Sequence, residues 1–168
     1  MFRKTDVHQL NQNVFTEIGK NWTLVSAAKP DGSFNTMTAS WGAMGILWGM
    51  ETATVYIRQT RYTKEFIDAQ KGFSVCLFDG GHKKALGILG SKSGRDGDKI
   101  AEAGFHPVML DGQPGFEESK CVLICEKIYQ ADIPLSAVPE DALRKFYPDD
   151  DYHTMYIGKI TACYVNEN

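Results

Sequence analysis

NWTLVSAAKPDGSFNTMTASWG, residues 21–42, sets two runs of apolar and hydroxyl side chains on either side of Pro30, Asp31 and Gly32. Proline fixes one backbone angle, aspartate bonds its own backbone, and glycine accepts a left-handed conformation, so the triplet turns the chain back on itself. The reading is a β-hairpin whose second arm opens FNTMTASWGAMG, residues 34–45, which carries no charge. Working outward, TATVYIRQT (52–60) alternates cleanly, with Ala53, Val55 and Ile57 on one face and Thr54, Tyr56 and Arg58 on the other. That is the pattern of a half-buried strand.

A helix is expected next, running to about Gln70, with Thr60 or Thr63 as its cap, Glu65 in the first turn and Phe66, Ile67 and Ala69 towards the core. GFSVCLFD (72–79) reads as a strand. HKKALGILG (82–90) and DKIAEAG (98–104) read as short helices around the loop GSKSGRDGD, the second stopped by Gly104. ESKCVLICEKIYQADI (118–133) is a long strand, PEDALRKFY (139–147) a helix begun at proline, and YHTMYIGKITACYV (152–165) the closing strand. Six or so strands without regular βαβ alternation predict a mostly antiparallel barrel or sandwich with peripheral helices, one domain over residues 1–168.

Composition narrows the function. A chain of 168 residues with a net charge of −3 folds without staples and has no general attraction to nucleic acid or an anionic membrane. No apolar run approaches the ~20 residues that span a bilayer. The segment MFRKTDVHQLNQ lacks a secretory apolar stretch, so a cytoplasmic protein is expected. Cys76, Cys121, Cys125 and Cys163 all lie in apolar segments and read as buried reduced thiols. Cys121 and Cys125 stand about 13 Å apart along a strand, too far for a disulfide or a shared zinc, and no metal site is expected.

The chemistry lies in three stretches. Arg58 and Thr60 project to one face where a helix begins, and with Arg61 they converge hydroxyl, guanidinium and free N–H groups on one spot. Such a set suits a phosphate monoester, which carries about −1.5 to −2 charges. Plain threonine caps beside solvated arginines would read the same way. The loop at 90–100 adds Lys92, Arg95 and Lys99 to two serines and three glycines, without Walker spacing, and suits an anionic or polyhydroxy tail or simply a mobile loop. Thr36, Met37, Thr38, Ala39, Ser40 and Trp41 offer amides, hydroxyls and apolar surface, either as core strand or as a wall for a planar heteroaromatic ring. Phosphate clamp beside ring wall predicts a phosphorylated aromatic cofactor. No strand leads into GxGxxG, and no lysine stands out on a buried strand for a pyridoxal Schiff base, which leaves FMN.

MTASWG (37–42), VYIRQTRYTKEFI (55–67), GSKSGRDGDKIAEAG (90–104) and YHTMYIGKI (152–160) together resemble the flavin reductase-like, FMN-binding split-barrel family, and most of all its flavoredoxin-type branch with the RYT motif. The resemblance covers roughly residues 14–165. It implies a mainly β fold, an antiparallel, Greek-key-like split β-barrel with short peripheral α-helices, forming a homodimer with FMN near the subunit interface. It implies that the Thr36 to Trp41 segment lines the flavin ring, with the backbone of Ala39 and Ser40 on its polar edge. Arg58, Thr60, Arg61, Tyr62 and Thr63 would hold phosphate and ribityl chain, while Ser91, Ser93, Gly94, Arg95 and Lys99 close over the cofactor. His153 would approach the flavin from the last strand, supplying a proton or orienting a nicotinamide. Gln59, Met50 and Glu51 stand where relatives often have proline, which bears on loop geometry rather than on any binding group.

The expected activity is electron transfer from NADH or NADPH through FMN to an unidentified small-molecule or protein acceptor. A flavoredoxin-like carrier reduced by a protein partner, or a non-catalytic flavin-binding protein, would share these motifs.

Overall fold

The computed structural model describes residues 1–167; Asn168, the last residue of the expected domain, lies outside the described residues. The turn at Pro30–Gly32 forms as its residues dictate. Lys29 N donates to Ser33 O at 2.7 Å, Gly32 takes φ +85°, and the Asp31 carboxylate accepts from the Ser33 amide. It joins β2 (Thr23–Ala28) to β3 (Phe34–Ala39), paired antiparallel with Val25 opposite Met37. The 34–45 stretch is not one strand. β3 ends at Ala39, the chain breaks at Ser40 and Trp41, and β4 (Gly42–Leu47) returns through a tight turn at Trp48 and Gly49 into β5 (Met50–Arg58).

With β1 (Phe2–Thr5), β6 (Gly72–Leu77), β9 (Cys121–Asp132) and β10 (His153–Asn166), these strands form one antiparallel sheet in the order β3-β2-β6-β9-β10-β5-β4, β1 pairing outside β10. A small hairpin, β7 (Pro107–Leu110) and β8 (Gln113–Phe116), lies apart; no period in the sequence announced it. The architecture is a split β-barrel with short peripheral helices. β3 and β4 end the sheet path, so one backbone edge of each has no ladder partner, and the break at Ser40–Trp41 joins them.

Side chains sort by strand period. Val25, Val75 and Leu123 face an inner core, whereas Leu24, Cys76 and Val122 face a second core under α2 (Lys83–Ser91) and α3 (Lys99–Ala103). Strands β2 and β6 are covered on both faces, which is why they read as continuous runs rather than alternating ones. The long pair β9–β10 shifts register at Ile157/Gly158 and Ile160/Ala162, and such bulges bend strands enough to curl a sheet. At Gly158 a Cβ would stand 2.5 Å from the Phe73 ring, so glycine admits that ring to the bend.

α1 (Tyr62–Ala69) buries Phe66 and Ile67, but Ala69 faces outward, against the sequence expectation. All four cysteines are buried free thiols, and burial pushes Cys76 up to about 12. No group of three or more metal-ligating side chains is found among the described residues, and no helix there is long and apolar enough to cross a membrane.

Candidate functional site

Arg61, not a threonine, occupies the N-cap of α1, and no side chain caps the helix. The Thr63 hydroxyl instead accepts from Asn35 Nδ2 at 2.8 Å, while the Thr60 hydroxyl donates to Asp151 Oδ2 at 2.8 Å. Lys64 N donates to Arg61 O, so the amides without a side-chain cap are those of Tyr62 and Thr63, which line a compartment of 140 Å³. Thr60, Arg61, Tyr62, Thr63, Ser91, Lys92, Ser93 and Lys99 line it, with Asn35 and Met37. Met37 and Arg61 are also walls of a second compartment, of 260 Å³, so the two adjoin.

Cations in the first compartment are held at low hydration. Burial, with the like charge of Arg58 beside it, lowers the Arg61 guanidinium from its ordinary value. Its Nη1 donates to Gly90 O at 2.7 Å, which ties it to the end of α2. Lys99 is not on a mobile loop: it begins α3, is 5% exposed, and donates to Leu89 O at 2.9 Å and Lys92 O at 3.1 Å. Desolvation, then Arg61, pulls its ammonium down to about 8. A helix start and two cations short of counter-charge are the groups that suit an anion.

The second compartment is lined by Met37, Thr38, Ala39, Ser40, Trp41, Tyr56, Arg58, Arg61, Gly90 and His153. The Thr38 hydroxyl donates to Leu86 O, anchoring this wall to α2, and the free sheet edge near Ala39 and Ser40 offers backbone groups to a ring. Trp41 leans on His153 with ring centres 4.9 Å apart and meets the edge of Phe146, the last residue of α4 (Glu140–Phe146). Thus the sequence wall and the sequence clamp do meet, through Met37 and Arg61.

Four placements differ from expectation, those of Thr36, Arg58, Gly94 and Arg95, whereas His153 lines the ring compartment as expected. Thr36 is fully buried, bonded to Ser26 Oγ and Val25 O, and lines neither compartment. Arg58 lines the ring compartment rather than the anion compartment, and its guanidinium donates to Asp151 O at 2.7 Å and Phe146 O at 2.9 Å. Burial, then Arg58, drives His153 down to about 4, so at neutral pH it is an uncharged imidazole with no acidic proton to give. Gly94 and Arg95, expected to close over a cofactor, line neither compartment: a Cβ on Gly94 would strike Asn35, and Arg95 pairs with Glu65 and lies over the Tyr62 ring at 4.5 Å. Asn35, Tyr56 and Tyr147 escaped the sequence reading. Tyr56 alone left a signal, sharing its strand face with Arg58.

A third opening, an apolar groove of 760 Å³, runs from Phe15, Ile18 and Met44 to Ser40, Trp41 and Tyr56, which it shares with the ring compartment. Phe15 begins a π-helical turn, Phe15–Asn21, and is 88% exposed.

The chain belongs to the flavin reductase like domain family, which it matches over residues 15–168. Its fold is similar to that of a flavoredoxin from Methanosarcina acetivorans, at 21% identity over 97% of this chain and 76% of that one, with a TM-score of 0.70. It is similar also to the FMN-binding domain of a flavin reductases-like enzyme from Shewanella baltica OS155, at 16% identity, 99% and 78% coverage and a TM-score of 0.68. A third likeness is to the NADH:FAD oxidoreductase SgcE6 of Streptomyces globisporus C-1027, solved in complex with NAD and FAD fragments, at 16% identity, 89% and 77% coverage and a TM-score of 0.65. No curated protein matches the chain by sequence.

Proposed function

We propose that the chain binds FMN and acts as an oxidoreductase of the flavin reductase type, taking electrons from NADH or NADPH and delivering them to a second acceptor. The observation that carries this reading is the uncapped start of α1, flanked by Arg61 and Lys99, opening beside an uncharged compartment with which it shares Met37 and Arg61. A phosphate monoester fits the first and a planar ring the second. Family membership and the FMN-binding Shewanella relative support the cofactor; the NAD-bound Streptomyces relative supports the donor.

Bound flavin supplies reversible hydride chemistry. The chain's own residues bind and orient. Arg61, Lys99 and the amides of Tyr62 and Thr63 hold the anionic end, Ser91 and Ser93 flank the polyhydroxy chain, and the edge of β3 and Ser40 meets the ring. Trp41 covers the ring compartment from the solvent side, and His153 orients through a hydrogen bond rather than by releasing a proton.

A homodimer completes the reading. Phe15, Ile46 and Trp48 are 88%, 65% and 66% exposed, and Phe15 lines the apolar groove. The apolar groove reaches the ring compartment through Trp41 and Tyr56, so a second copy seated there would lie near the flavin. A cytoplasmic location accords with four reduced thiols.

The test is a visible spectrum of the purified protein with FMN, repeated without air after NADH or NADPH. A bound flavin that bleaches with either nucleotide supports the reading. Bleaching only with a protein reductant would make it a carrier, and protein that stays colourless in excess FMN would end the proposal.

A further inference from the structure

Tyr147 and Arg58 belong to no phosphate clamp, yet both are built tightly around His153. Arg58 and His153 are direct cross-strand partners at the ends of β5 and β10. The Arg58 guanidinium bridges the carbonyls of Phe146 and Asp151, the two ends of the segment that leads from α4 into β10, and sits 5.4 Å over the Tyr147 ring. Tyr147 is 8% exposed and His153 6% exposed, and the phenol oxygen lies 2.8 Å from His153 Nδ1. Trp41 packs on the other side of the imidazole.

Two arrangements of protons satisfy the 2.8 Å contact, and they are not equal. If Nδ1–H donated to the phenol, the buried Tyr147 hydroxyl would keep its own proton with no second acceptor among the described residues, at a cost of about 1–3 kcal/mol. If the phenol donates to Nδ1, the phenol proton has its acceptor, and the one remaining N–H of the uncharged ring is on Nε2. The hydrogen bond found for the ring among the described residues is the one at Nδ1, and the side chain lines the ring compartment.

We propose that Arg58 and Tyr147 are positioning residues that hold His153 as its Nε2–H tautomer, giving the ring compartment one fixed hydrogen-bond donor for the acceptor edge of a planar, uncharged ring. The ligand class follows: a ring bearing a carbonyl or an unprotonated ring nitrogen is favoured over one presenting only donors. Which ring is bound rests on the flavin reading above; the tautomer does not.

The experiment records long-range 1H–15N correlations of His153 in flavin-free protein, wild type and Tyr147→Phe, a change that removes one oxygen. The expected result is a wild-type ring with Nδ1 unprotonated and Nε2 protonated, and a mixture of tautomers in the variant. A dominant Nδ1–H form in the wild type, or an unchanged pattern in Tyr147→Phe, overturns the proposal. Binding of FMN and of riboflavin, which lacks the phosphate, is then measured for Tyr147→Phe and Arg58→Met. Both variants should weaken both ligands by the same factor, about two- to tenfold, because binding draws on the fraction of rings still in the Nε2–H form. Selective loss of FMN in Arg58→Met would return Arg58 to the phosphate and overturn its positioning role. Wild-type protein that binds neither ligand would refute the flavin reading while leaving the tautomer result intact.

Discussion

Replacing Arg61 by methionine tests the division of the site into anionic and ring halves. Methionine keeps much of the apolar stem and removes the guanidinium, which is the one charged group common to both compartments. The native side chain spends Nη1 on Gly90 O, so its remaining N–H groups are available to a phosphate in a half-buried setting. A charge-assisted hydrogen bond there is worth about 1.5–3 kcal/mol, or roughly ten- to hundredfold in affinity. Freeing Gly90 O also loosens the end of α2, but that change weakens any ligand of the site. The informative quantity is therefore the ratio of FMN to riboflavin affinity, from fluorescence quenching titrations on wild type and variant side by side. The ratio is expected to fall by about ten- to hundredfold. A ratio unchanged within about twofold, even with both affinities reduced, would refute the assignment of Arg61 to phosphate.

Lys99 adds a pH dependence to the same pocket: its ammonium, held near 8 before an anion arrives, helps only while protonated, so with the phosphate fully ionised above about pH 7 FMN affinity is level up to about pH 8 and falls as pH rises further. Titrations from pH 7 to 9.5 should show that decline in wild type and a flat, weaker profile in Lys99→Met. His153 gives the opposite limb in the flavin-free protein. Its folded value near 4 lies below the ordinary 6.5, so the unfolded chain takes up a proton first as pH falls. Its contribution is present above 6.5 and lost down to 4, on the order of 3 kcal/mol by urea denaturation, and His153→Gln should lack that slope. Gly158→Ala puts a methyl 2.5 Å from the Phe73 ring and 2.7 Å from Cys125 Cβ, and should destabilise the fold by about 1–3 kcal/mol in the same assay with both ligand affinities per folded molecule retained.

The differences between sequence reading and structure have a common form. Turn chemistry at Pro30–Gly32, the period of Ala53, Val55 and Ile57, and the stop at Gly104 are decided by neighbours a few residues away, and each stands where the sequence placed it. The uncapped helix start was half legible: the residues that converge there were named, but Thr60 and Thr63 were given to the helix because their partners, Asp151 and Asn35, lie 91 and 28 residues off. Periodicity alone turns Ala69 inward, but as the last residue of α1 it lies on the exposed side while Phe66 and Ile67 of the same turn reach the core.

Propensity, periodicity and side-chain chemistry act locally, so a strand-rich fold, a cationic turn after the strand at 52–60 and an uncharged wall after the hairpin are legible along the chain. How charge is used depends on contacts between distant segments. Arg58 is engaged by carbonyls 88 and 93 residues away, Lys99 is stripped of water beneath the end of α2, and His153 is held uncharged between Arg58, Tyr147 and Trp41. Desolvation and hydrogen-bond geometry depend on what the closed sheet brings alongside, and no spacing along the chain encodes that.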